Sequence, residues 1–129
     1  MMNLLLDTQI FIWADQDKGK LSAAVQSAME DRSNLLFIST ASICEMQIKV
    51  QLGKLSIRKP LADLIEEYVS RDVLRVVPVY PEHTYALQQL PPLHRDPFDR
   101  LIVATALVEH STILSVDEFV KQYAVPVIG

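Results

Sequence analysis

The hydrophobic period of this chain changes repeatedly, and each change marks an element. Residues 3–6 form a short apolar run that ends at Asp7, where helical spacing takes over. Leu21, Ala24, Val25, Ala28 and Met29 repeat at i, i+3, i+4, i+7 and i+8, the stripe of an amphipathic helix, with Ser22 placed to cap it. Residues 35–38 are continuously apolar, as in a strand covered on both faces. Ser39, Thr40 and Ser42 then offer caps for a helix reaching about residue 51 and closed by Gly53.

Pro60 suits a first helical residue, and Leu61, Leu64, Ile65, Tyr68 and Val69 make the stripe that follows it. Residues 73–79 predict a strand interrupted by proline, and residues 83–90 a short helix. The segment PPLHRDP breaks the chain ahead of a helix over 98–109, which is apolar nearly all round and hence buried. Residues 112–115 predict a strand, 117–123 a short helix and 125–128 a last strand, which Pro126 places at a sheet edge. Strands and helices alternating at these lengths predict an α/β fold: βαβ crossovers and a central, mostly parallel sheet of four to five strands flanked by helices. Ligands of such sheets bind beyond the carboxyl ends of the strands.

Composition narrows this picture. At 129 residues, half of them hydrophobic, the sequence predicts one domain spanning 1–129. No apolar run approaches the ~20 residues of a membrane-spanning helix. The opening MMNLLLDTQIFIW has neither the basic flank nor the cleavage site of a secretory signal. The single cysteine, Cys44, has no internal disulfide partner and reads as a small core residue, so a cytoplasmic location is expected. A net charge of −4 argues against a general nucleic-acid binder. Bound cations invert the local field, however, so an enzyme acting on RNA stays open.

Sixteen residues are Asp or Glu, and their positions carry the chemistry. Asp7 closes the first strand, where it faces the sheet's carboxyl edge or caps the next helix. Glu45 lies one turn into the helix after the second strand, and also fits a capping box Ser42-x-x-Glu45. In His94-Arg95-Asp96-Pro97-Phe98-Asp99-Arg100, Asp96 suits the N-cap, Pro97 the first helical position and Asp99 the third. Asp117 follows the strand over 112–115 after one intervening residue, and again suits a cap.

Each acid alone has this ordinary explanation, yet all recur at strand ends or in the first turn of the next helix. In a parallel sheet those points share one edge. Like charges gathered there are costly unless protonated or neutralised by a cation. Hard carboxylate oxygens, without clustered Cys or His, suit Mg²⁺ or Mn²⁺ rather than zinc. Such a site activates water and stabilises charge on a phosphoryl group, which makes metal-assisted phosphodiester hydrolysis the expected reaction class. The competing expectation is a non-catalytic module whose acidic pocket binds a partner or an ion.

Other phosphoryl chemistries lose support. A haloacid-dehalogenase phosphatase wants a second acid two residues after its nucleophile, where this chain has Gln9. A receiver domain wants an acid after its middle strand and a lysine near its last, and neither is in place. Three glycines make no phosphate loop. His94 is the histidine placed nearest the acids, with a structural role the plainer reading. Thr8 is placed to bond an acidic ligand or to cap. Arg95 and Arg100 hold phosphate or pair with acids, and Lys49, Lys54, Arg58 and Lys59 line an RNA path or simply a solvated face.

The opening Leu4-Leu5-Leu6-Asp7-Thr8 running on to Trp13, Ser42-x-x-Glu45, the run His94 to Arg100 with the apolar helix behind it, and Leu114-Ser115-Val116-Asp117-Glu118-Phe119 together resemble PIN domains. Among these the chain is most similar to the VapC-like toxins of bacterial type II toxin–antitoxin systems. The resemblance runs from end to end. It implies a three-layer fold and a Mg²⁺- or Mn²⁺-dependent ribonuclease. By motif match, Asp7, Glu45, Asp99 and Asp117 are the four acids of the site, with Asp7, Asp99 and Asp117 holding metal and Glu45 holding metal or activating water. Asp96 is an additional acid of this branch, and Thr8 and Ser115 are supporting hydroxyls. It further implies a homodimer and a cognate antitoxin whose tail packs over the site, with the helices over 40–50 and 61–69 as docking surfaces.

Overall fold

A computed structural model describes residues 1–129. Strands β1 (Asn3–Leu6), β2 (Leu35–Ser39), β3 (Arg75–Val77), β4 (Thr112–Leu114) and β5 (Val127–Ile128) form one sheet in the order β3-β2-β1-β4-β5, parallel at every pairing. Helices α1 (Thr8–Gln16), α2 (Ala23–Glu30), α3 (Thr40–Gln51), α4 (Leu61–Ser70), α5 (Pro81–Ala86) and α6 (Pro97–Glu109) connect them. No helix is long and apolar enough to cross a membrane.

Strand alternation sorts the core into two layers. Leu4 and Leu6 of β1, Leu36 and Ile38 of β2 and Leu114 of β4 face one way, against Ile10, Val25, Met46 and Leu64. Leu5 and Ile113 face the other way, against Ile102, Val103 and Ala106 of α6, with Phe37 and Val127 packed beside them. A sheet with both faces covered needs continuously apolar strands, and this is the physical reason for Leu4-Leu5-Leu6 and for the run over 35–38. The chain winds outward from β1 to β2 and β3, then returns to place β4 on the other side of β1. The strand order therefore reverses between β1 and β4, and the crevice at their carboxyl ends is where such sheets take ligands.

Several boundaries differ from the sequence expectation. The strand over 73–79 contracts to Arg75–Val77: Pro78 has no N–H to donate, and the N–H of Val79 goes to Thr40 Oγ1 at 3.0 Å. Pro60 stands one position earlier than expected, as the N-cap of α4. Residues 117–123 form a turn and a 3-10 segment (Val120–Gln122) rather than an α-helix. The capping box Ser42-x-x-Glu45 does not form. β2 runs on to Ser39, whose Oγ accepts from the Ala41 N–H at 3.0 Å and caps α3, so Ser42 lies inside the helix and fully buried. Because Ala41, Ser42, Glu45 and Met46 are the buried side of α3, Cys44 points outward and is exposed, not a core residue.

Candidate active site

The site begins where β1 and β4 end. Asp7 caps α1, its Oδ1 accepting from the Ile10 N–H at 3.0 Å, while its Oδ2 accepts from the Ser115 hydroxyl. Ser115 Oγ in turn accepts from the Asp117 N–H at 3.0 Å, so one buried hydroxyl positions two acids. The next residue along α1, Thr8, donates to Glu45 Oε1 at 2.7 Å, and Lys49, one turn further along α3, brings its Nζ to 2.8 Å from Glu45 Oε2. Glu45 is thus a buried carboxylate turned inward, held on both oxygens.

The start of α6 supplies the other half. Asp96 is its N-cap, accepting from the Phe98 N–H at 2.9 Å, and Pro97 is its first residue, both as the sequence indicated. His94 Nδ1 accepts from the Asp96 N–H at 3.1 Å. That bond leaves the ring proton on Nε2, which lies 2.9 Å from Asp99 Oδ2 and 3.1 Å from Asp117 Oδ2. The Tyr123 hydroxyl accepts from the His94 backbone N–H at 3.0 Å, and Phe119 packs against the ring. Asp117 Oδ1 accepts from the N–H groups of Phe119 and Val120, at 2.8 and 3.2 Å.

Asp7, Glu45, Asp96, Asp99 and Asp117 all line one cavity of about 300 Å³, together with Thr8 and Lys49. Burial raises the Asp7 carboxyl above its ordinary range against the opposing bond from Ser115, with the charge of Asp117 adding to the rise. Asp99 is pushed up to about 7, first by burial and then by the charges of Asp96 and Glu45. Burial acts upward on Asp117 too, but the bonds from His94 and from the backbone of Phe119 and Val120 carry it below the usual range. The raised carboxyls at Asp7 and Asp99 express the cost of gathering like charge in a poorly solvated place. A hard divalent cation offsets that cost, and the potential ligand atoms of His94, Asp99 and Asp117 lie within 4.8 Å of one another.

Of the basic residues singled out in the sequence, the structure brings only Lys49 to this cavity. Arg58 and Lys59 pair instead with Glu67, Arg58 also with Asp15, and the Arg100 guanidinium lies 3.5 Å from the carbonyls of Leu87 and Leu90. Tyr123, which anchors the His94 backbone, carried no signal in the sequence. Its role depends on a turn folding back across the start of α6.

The sequence model of the PIN domain family matches residues 4–126. The fold is similar to that of VapBC2 from Rickettsia felis, solved bound to a DNA fragment from its promoter: 18% identity, 98% of each chain covered, TM-score 0.72. It is similar also to DNA-bound VapBC from Salmonella typhimurium, at 14% identity over 99% of this chain and 98% of that one, with TM-score 0.72. A toxin–antitoxin complex from Klebsiella pneumoniae matches at 15% identity, 98% and 96% coverage and TM-score 0.62. The comparison with curated proteins returned no match.

Proposed function

The chain belongs to the PIN domain family, and from that premise we propose that it is a Mg²⁺- or Mn²⁺-dependent ribonuclease acting in the cytoplasm as the toxin of a toxin–antitoxin pair. The observation that carries the reading is the convergence of five carboxylates on one cavity at the carboxyl ends of β1 and β4. Asp7, Glu45, Asp99 and Asp117 would hold the metal. When bound, such an ion lowers the pKa of an attacking water and stabilises charge on the phosphoryl group. The chain's own part is to fix the donors. Ser115 aims Asp7, Thr8 aims Glu45, and His94 keeps Asp99 and Asp117 facing a common point. Asp96 sets the start of α6 and so the direction of Asp99.

The structurally similar complexes support the toxin role, as does a groove between α3 and α4. That groove is about 410 Å³ and is lined by Ile43, Ile48, Leu61 and Ile65, with Ile48 41% exposed. The apolar stripes of these helices are therefore not spent entirely in the core, and an antitoxin segment packs there in this reading.

Incubation with single-stranded and structured RNAs, in Mg²⁺ or in EDTA, tests the activity. Cleavage that needs metal and is lost in Asp99→Asn is the expected result. Metal binding without cleavage of any RNA points instead to the non-catalytic module. For the toxin role, expression arrests growth, and co-expression of a small protein encoded beside the gene relieves it.

A further inference from the structure

Resting on the ribonuclease reading, we infer that Lys49 exchanges partners. Its ammonium pairs with Glu45 until a divalent ion takes that carboxylate, and it then holds a non-bridging oxygen of the RNA phosphate.

Both oxygens of Glu45 are engaged, Oε1 by the neutral hydroxyl of Thr8 and Oε2 by the Lys49 ammonium. A divalent ion on Glu45 leaves the neutral Thr8 hydroxyl undisturbed but meets the Lys49 ammonium as a like charge a few ångströms away in a partly buried cavity, and that repulsion weakens the Lys49 pairing. The two partners also differ in freedom. The Glu45 side chain is 9% exposed and fixed, whereas that of Lys49 is 44% exposed on a flexible stem.

Where the displaced ammonium goes follows from the rest of the cavity. Lys49 is the one basic residue in a lining that includes five carboxylates. Glu45 first, and then the charges of Asp96 and Asp99, favour its charged form, and it lines the same cavity as these acids. Arg58 and Lys59 are tied to Asp15 and Glu67, and Arg100 to backbone carbonyls. A phosphodiester entering this cavity therefore meets one mobile side-chain cation, and it is the one that metal binding sets loose.

Calorimetric titration of Mn²⁺ into wild type, Lys49→Met and Lys49→Arg tests the exchange. Loss of the competing cation makes Lys49→Met bind Mn²⁺ several-fold tighter, while Lys49→Arg stays near wild type. Unchanged or weaker Mn²⁺ affinity in Lys49→Met overturns the exchange. Anisotropy of a labelled single-stranded RNA, with Ca²⁺ in place of Mn²⁺, tests the phosphate contact. Lys49→Met weakens binding and reduces the slope of log K against log salt by about 0.7, the value for one phosphate contact on a single strand, and Lys49→Arg restores it. An unchanged slope overturns the phosphate contact. A wild type that binds Mn²⁺ but neither binds nor cleaves RNA overturns the ribonuclease reading instead, and the Mn²⁺ comparison still decides whether Lys49 and the ion compete.

Discussion

Ser115 donates its hydroxyl to Asp7 and thereby ties the end of β4 to the end of β1, two points 108 residues apart in sequence. The same oxygen accepts from the Asp117 backbone, so the two acids share a buried hinge. Ser115→Ala leaves Asp7 with the burial that raises its pKa and without the bond that opposes it. A lost buried bond to a charged group costs roughly 1.5–3 kcal/mol. Urea unfolding should show a loss of that size, and calorimetry a weaker affinity for Mn²⁺. Wild-type values in both would mean that the backbone alone positions Asp7.

Asp99 gives a pH dependence of definite sign. Its carboxyl titrates near 7 in the folded protein against an ordinary value of 3.8, so between these values the folded state holds the extra proton. Without added metal, stability from this group is fully present below pH ~4 and lost as pH rises through 7. Asp99→Asn removes the penalty at high pH. Its melting temperature should exceed that of wild type by a few degrees at pH 8, and the difference should vanish near pH 4. With Mn²⁺ the order reverses at pH 8, since only wild type gains a ligand's full stabilisation. A melting difference independent of pH would remove Asp99 from the strained set.

Why some of this could be read in the sequence, and some not, is a matter of range. Apolar runs such as Leu4-Leu5-Leu6 demand a sheet covered on both faces, and Ser22, Gly53 and the Asp96-Pro97 pair satisfy helix ends through neighbours two or three residues away. These are local constraints, and the fold and the shared edge of acids follow from them. Glu45 was ambiguous for a local reason too, because Ser42-x-x-Glu45 has the form of a capping box. What decides it is β2 running one residue further, so that Ser39 takes the cap and Glu45 turns inward to Thr8. The bridging by His94 and the anchoring by Tyr123 arise only when the start of α6 and the turn after β4 meet, and no local spacing encodes them, whereas Lys49 reaches Glu45 within α3 at the i, i+4 spacing.

Away from the site, Arg58 joins Asp15 of α1 to Glu67 of α4, and Tyr68 completes the group with a 2.6 Å bond to Asp15. Arg58 and then Lys59 draw the Glu67 carboxyl down to about 2, from an ordinary 4.5. The folded state therefore releases this proton more readily than the unfolded chain. The stability it brings is present above pH ~4.5 and lost as pH falls toward 2. Glu67→Gln should melt lower than wild type at pH 7, with the two curves converging under acid. A gap that stays constant down to pH 2 would mean packing, not charge, is responsible.

His94 separates two kinds of metal chemistry. Its Nδ1 accepts from the Asp96 N–H, which places the proton on Nε2 and makes the ring a donor to Asp99 and Asp117 rather than a ligand with a free lone pair. His94→Ala leaves two carboxylates facing each other unbridged, at a cost of roughly 1.5–3 kcal/mol for the lost charge-assisted bonds. A divalent ion replaces that bridge. Addition of Mn²⁺ should therefore raise the melting temperature of His94→Ala by more than it raises that of wild type, narrowing the difference between them. If His94 instead turned its ring to ligate the ion, the variant would bind Mn²⁺ more weakly and gain less. The sign of that difference in thermal shift decides between a donor and a ligand at this position.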